Sequence, residues 1–155
     1  MQSPEGPRGT GPLPAALAER TGLVLAKVAD EARAAFERAI GPMGLKRRYY
    51  GVLAVLAAEG PSSQQALGKR LRLDRTTMVD VADELERRGL AERRPNPRDR
   101  RAHHLTITDA GRDVLVRLDA IATEVEDATF APLNAAERRH LHDLLTRLLT
   151  REGDG

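Results

Sequence analysis

Seven arginines, at positions 87, 88, 93, 94, 98, 100 and 101, fall in one short stretch with only Glu92 and Asp99 against them, a local net charge of +5 in a chain whose total is +2. Such a cluster attracts polyanions, and the planar donor fork of a guanidinium suits phosphates and base edges better than an ammonium does. Arg98, Arg100 and Arg101 sit among Pro95, Asn96, Pro97 and Asp99, residues that build turns. No helical partner accounts for their density, so they point to nucleic acid. Arg87, Arg88, Arg93 and Arg94 fit that chemistry equally with a solvated helix face neutralised by acids such as Asp83 and Glu84.

Other chemistries find little support. The chain has no cysteine, which removes disulfides, zinc–thiolate sites, thiol redox sensing and thiol nucleophiles. His140 and His142 stand two apart on a helix and point away from each other, and His103 and His104 alternate on a strand, so neither pair chelates a metal. There is no nucleophile motif and no glycine-rich phosphate loop. No catalytic residue, cofactor or metal is expected, and the chain does not read as an enzyme. No apolar run approaches the ~18 residues of a membrane span, and residues 1–14 lack a secretory pattern, so a cytoplasmic protein is expected.

With 155 residues, 41% hydrophobic and only two Phe and two Tyr, the core must come from aliphatic side chains, which favours helices. Residues 1–14, rich in Pro and Gly, and residues 151–155 are expected to be flexible. Helical spacing predicts one long first helix from Leu17 to Ile40, stopped by Gly41-Pro42. A second runs from about Lys46 to Ala58, with Tyr50, Leu53, Leu56 and Ala57 on one face. It opens on Lys46, Arg47 and Arg48, where the positive end of the helix dipole disfavours cations. Ser62 and Gln65 form a capping-box signature for a third helix, 64–71, and Asp74 caps a fourth. In that fourth helix Met78, Val81, Ala82 and Leu85 make a buried stripe opposite Thr76, Asp80, Asp83 and Arg87, and Gly89 ends it. Asp80 brings negative charge to the presented face, and pairing with Arg75 or Arg87 is the favoured way to offset it.

Leu90–Arg94 and His103–Ile107 read as strands around an arginine-bearing loop, 95–99. Thr108 caps a fifth helix with a stripe of Val114, Leu118, Ile121, Val125 and Ala128. After Asn134, Leu141, Leu144, Leu145, Leu148 and Leu149 form the apolar face of a last helix. The expected fold is mainly α with a small β-wing. Two short helices joined by a tight turn, the second presenting a polar face and followed by a basic hairpin, make a winged helix-turn-helix.

The chain here resembles the MarR family of bacterial transcription regulators over residues 17 to 150. The resemblance is carried by Leu85-Glu86-Arg87-Arg88-Gly89-Leu90, by Asp99-Arg100-Arg101, and by Leu105-Thr106-Ile107-Thr108-Asp109-Ala110-Gly111. It implies a single domain over 15–150, with a DNA-binding lobe at 45–108 flanked by N- and C-terminal dimerisation helices at 15–41 and 109–150. It implies that Arg101 at the wing tip enters the minor groove, held by an ion pair with Asp99 and flanked by Arg98 and Arg100. Arg75, Thr76 and Thr77 would contact the major groove, while Ser62 and Ser63 would contact phosphate, unless Ser62 serves only as a cap. It also implies a pocket for small, often anionic aromatic compounds beside the second helix, where Arg48 with Tyr49 or Tyr50 is the candidate set; the competing reading is a solvated basic turn with Tyr50 in the core.

The apolar faces of the first, fifth and last helices exceed what one small winged domain covers, which predicts a homodimer. A dimer places two recognition helices about one DNA turn apart, on a pseudo-palindromic operator with half-sites roughly 10 bp apart. The function expected is a dimeric, sequence-specific DNA-binding repressor modulated by a small effector. The alternative from another class is a winged-helix module whose basic wing meets an acidic protein.

Overall fold

The computed structural model describes residues 11–150. The segments expected to be flexible therefore lie largely outside the described residues, and residues 11–14 carry no helix or strand. The elements are helices α1 (Ala15–Ala18), α2 (Thr21–Ile40), α3 (Arg47–Glu59), α4 (Gln64–Leu71) and α5 (Arg75–Arg87), strands β1 (Ala91–Asn96) and β2 (Asp99–Ile107), then helices α6 (Asp109–Thr129) and α7 (Ala135–Thr150). A 3-10 turn, Gly41–Met43, follows α2. The fold is a mainly helical winged helix-turn-helix whose two-stranded antiparallel sheet is the wing.

The chain divides into two compact units. One spans 34–122 and contains α3 to β2, with the end of α2 and the start of α6. Its core is mainly aliphatic: Ile40, Val52, Leu53, Leu56, Leu67, Val81, Leu85, Leu105 and Leu118 are all essentially excluded from solvent. The buried residues of α5 are Met78, Val81, Ala82 and Leu85, the set its helical spacing predicts. The other unit, 11–33 with 123–150, is built from α1, most of α2, the end of α6 and α7. There α7 buries no residue at all, and with α2 it frames an open apolar groove of about 910 Å³ lined by Val24, Leu25, Val28, Leu141, Leu145 and Leu148.

Several local expectations are corrected. The first helix is interrupted at Glu19–Arg20: the Arg20 N–H closes a turn on Leu17, and helix resumes at Thr21-Gly22, where propensity is low. Tyr49, not Tyr50, is the buried tyrosine of α3. Ser62 does not cap α4. Its main chain is extended and exchanges two hydrogen bonds with Leu105 of β2 (3.1 and 2.8 Å), and the cap is Ser63, whose Oγ accepts from Ala66 N–H at 3.2 Å. The strands run further than their apolar alternation suggests, to Asn96 and from Asp99. Pairing steps from Pro95↔His103 to Asn96↔Asp99, so Arg100, Arg101 and Ala102 bulge from β2 instead of following a loop.

Two glycines fix the junctions. Gly89, at φ +69, ends α5 in a Schellman arrangement, its N–H bonded to Glu86 and that of Leu90 to Leu85. Gly111 lies in the first turn of α6 directly against the Leu90 carbonyl and the Ile107 side chain, where a Cβ has no room. Thr108 completes this joint: its hydroxyl donates to Gly89 O at 2.6 Å and accepts from Gly111 N–H at 3.0 Å.

Candidate nucleic-acid interface

α5 starts on Asp74, whose carboxylate accepts from Thr77 N–H at 2.8 Å and from Thr77 Oγ1 at 2.6 Å. The Thr77 hydroxyl, above all, holds the Asp74 carboxyl below its ordinary range. Thr77 is thus half-buried with its hydroxyl committed inside the cap, while Arg75 and Thr76 are exposed. At the start of α4 the Ser63 oxygen is used as a cap acceptor, which leaves its O–H hydrogen to donate outward.

The arginines sort into two groups by what they touch. Arg87 sends two hydrogen bonds to Glu84 (2.8 and 2.6 Å) and Arg88 a third at 2.6 Å, and those donors hold the Glu84 carboxyl down to about 2. Arg93, on β1, reaches both Asp83 and Glu86 of α5, and its N–H donates to Glu86 at 3.1 Å. With its amide oxygen turned to Arg93, Gln64 at the head of α4 accepts from Nη2 at 2.8 Å. Arg94 pairs with Glu92. These four arginines take the ion-paired reading. Arg75, Arg98, Arg100 and Arg101, all exposed, make no ion pair with any described residue.

At the wing tip the expected Asp99–Arg101 ion pair is replaced by a different contact. The Asp99 carboxylate accepts from the main-chain N–H of Arg101 at 3.0 Å, and Asn96 accepts from that of Arg98 at 3.0 Å. Both are side-chain-to-backbone turns that shape the loop and leave the guanidinium groups to solvent. Asp80 is exposed and has no partner among the described residues; Arg87, proposed for it, goes to Glu84 instead.

The candidate ligand residues do not converge. Tyr49 is 5% exposed and belongs to the core. Tyr50 packs on Phe36, ring centroids 5.4 Å apart, and donates to Asp119 at 2.9 Å. Arg48 is half-buried and borders a surface cavity of about 410 Å³ with Glu37, Leu45, Lys46 and Arg47, which neither tyrosine lines. Among the described residues no group of three or more His, Cys, Asp or Glu is disposed to hold a metal, and no helix is long and apolar enough to cross a membrane.

Sequence reasoning missed two features. One is the Arg93 fork, legible only in that Asp83 and Glu86 stand three apart on the helix just before the strand carrying Arg93. The other is Val79, an apolar residue outside the buried stripe of α5 and 36% exposed.

A model of the MarR family matches residues 43–102, which span the whole of α3 to β1 and the start of β2. A putative transcriptional regulatory protein for the hcr operon of Thauera aromatica is 34% identical over 111 residues, covering 72% of this chain and 67% of that protein. The HTH-type transcriptional repressor NicR of Pseudomonas putida is 28% identical over 131 residues, covering 84% and 83%. Among solved structures, Bordetella bronchiseptica BpsR, described with a mechanism for regulation of its DNA binding by 6-hydroxynicotinic acid, superposes with a TM-score of 0.73 at 28% identity, covering 94% of this chain and 99% of that one.

Proposed function

Because this chain belongs to the MarR family of transcriptional regulators, we propose that it acts as a homodimeric repressor that seats α5 in the major groove and the β1–β2 wing in the adjacent minor groove of a pseudo-palindromic operator. The observation that carries this reading is the sorting of the arginines. Arg87, Arg88, Arg93 and Arg94 are neutralised by acids, while Arg75, Arg98, Arg100 and Arg101 present unspent charge at the start of the recognition helix and at the wing tip. Arg101 probes the minor groove with Arg98 and Arg100 on the flanking backbone, Arg75 and Thr76 face base edges, and the Ser62–Ser63 segment at the head of α4 meets a phosphate. Thr77 contributes by fixing the Asp74 cap.

The second copy is supported by α7, whose leucine face is left only partly covered by the described residues of its own unit. The helices at 15–41 and 109–150 supply that contact, and two-fold symmetry sets the half-site spacing. An anionic effector is supported by Arg48 and Lys46 at the cavity before α3, and by the ligand-regulated DNA binding described for BpsR. Repression is the activity named for NicR.

Gel-shift titration of the full chain against the DNA upstream of its own gene, over a salt series, tests the reading. Affinity is expected to fall steeply with ionic strength, and Arg101→Ala, which removes one guanidinium from each of two wings, to weaken binding and reduce the salt slope by about 2. Salt-insensitive binding, or none in dilute buffer, leaves the protein-docking alternative. Added aromatic carboxylates are expected to release wild-type protein and to act less on Arg48→Ala; equal release of both removes Arg48 from the effector site.

A further inference from the structure

We propose that Asp80 is a specificity-determining residue that accepts a hydrogen bond from the amino group of a cytosine, so that each operator half-site carries a C·G pair one helical turn beyond the bases met at the start of α5. The inference rests on the DNA-reading function proposed above and goes further by naming a base.

α5 carries four acids, and three are spent on protein partners. Asp83 and Glu86 hold Arg93, and Glu84 holds Arg87 and Arg88. Asp80 has no hydrogen bond or ion pair with any described residue and is exposed. It also gains nothing from its position. It lies past the first turn, beyond the reach of the helix dipole, and the cap is already made by Asp74. By helical geometry it projects within about a third of a right angle of the direction opposite the buried stripe of Met78, Val81, Ala82 and Leu85, on the same outward row as Thr76.

An unpaired carboxylate there opposes every phosphate the arginines attract, and so weakens binding to all sequences alike. The loss is recovered only where the groove offers a donor. In the major groove the exposed donors are the amino groups of adenine and cytosine. Adenine pairs its donor with the N7 acceptor, which suits an amide, whereas a carboxylate, an acceptor only, matches cytosine N4. Asp80 thereby penalises non-cognate DNA while tolerating one base.

The test is selection from a randomised duplex library by the full-length wild-type chain, Asp80→Ala and Asp80→Asn, with the bound fractions sequenced. Wild type is expected to enrich a C·G pair at one symmetric position of each half-site by roughly tenfold. Asp80→Ala should lose that preference while keeping the rest of the motif, and Asp80→Asn should shift it toward adenine. An unchanged motif in Asp80→Ala, with tighter binding to every sequence, overturns the assignment and leaves the DNA-reading function standing. Enrichment of no motif by wild type overturns both.

Discussion

The Asp99 carboxylate accepts a hydrogen bond from the main-chain N–H of Arg101 at 3.0 Å, so the acid shapes the wing tip without neutralising the guanidinium two residues away. A backbone-shaping role needs an acceptor oxygen, not a charge. Asp99→Asn is therefore expected to bind operator within about twofold of wild type, and Asp99→Ala to bind roughly fivefold more weakly, the equivalent of one ordinary hydrogen bond. Fluorescence anisotropy with a labelled operator duplex measures both. Equal losses in the two variants would show that the charge of Asp99 matters instead.

Gly111 is expected to tolerate no side chain. An added Cβ would penetrate the Leu90 carbonyl oxygen and lie 2.8 Å from Ile107 Cγ1 and 3.0 Å from Leu90 C, two of these three contacts being backbone. Gly111→Ala should cost about 3 kcal/mol or more in urea unfolding, at the upper end for overpacking. Gly22→Ala is the control: nothing stands within 4 Å of its Cβ, and in the first turn of α2 the change should be neutral or stabilise by at most about 0.5 kcal/mol. A mild effect at Gly111 would mean that the α6 start can move off the wing.

The fold was legible wherever a single periodicity ruled. α5 shows its four buried residues, its Asp74 cap and its Gly89 stop in the residue pattern alone, because burial, capping and the left-handed stop all act within a few residues. Reading failed where a distant strand competes for a residue. Ser62 has the type and spacing of a cap but spends its main chain on Leu105, some forty positions away. The wing outlasts its apolar alternation because Arg100 and Arg101 occupy a bulge, which needs no alternation. At the site, the basic cluster was visible in composition, but which arginines are spent was not. That depends on Arg93 of β1 meeting Asp83 and Glu86 across a helix end, a contact no local rule supplies.

Glu84 should give the lobe a pH-dependent share of its stability. Hydrogen bonds from Arg87 and Arg88 lower its carboxyl from an ordinary 4.5 to about 2. A depressed folded-state value stabilises the fold fully above the unfolded-state value and ceases to do so as the pH falls through the folded one. Glu84→Gln is thus expected to lower the urea midpoint at pH 7, by an amount that shrinks between about pH 4.5 and 2 and vanishes below. The Asp74 carboxyl, lowered by the Thr77 hydroxyl, adds a contribution of the same sign that the variant leaves intact. A difference between wild type and Glu84→Gln that stays constant across that window would place the effect in packing rather than charge.

Leu148 is 57% exposed in its own chain although it lines the groove between α2 and α7. Taking a leucine of this kind out of water is worth roughly 2 kcal/mol, and two-fold symmetry counts each such residue twice. A carboxylate placed there would be buried against its own copy without a partner. Leu148→Glu is therefore expected to sediment as a monomer where wild type sediments as a dimer, with loss of the full-site gel shift and retention of weak, salt-sensitive binding to DNA. Arg139→Glu, exposed on the opposite side of α7 and absent from the groove, should remain dimeric. Because affinity for a pseudo-palindrome depends on both recognition helices being tied together, the monomer should bind a full operator no more tightly than a duplex carrying one half-site. A dimeric Leu148→Glu would assign the second copy to another face of the chain.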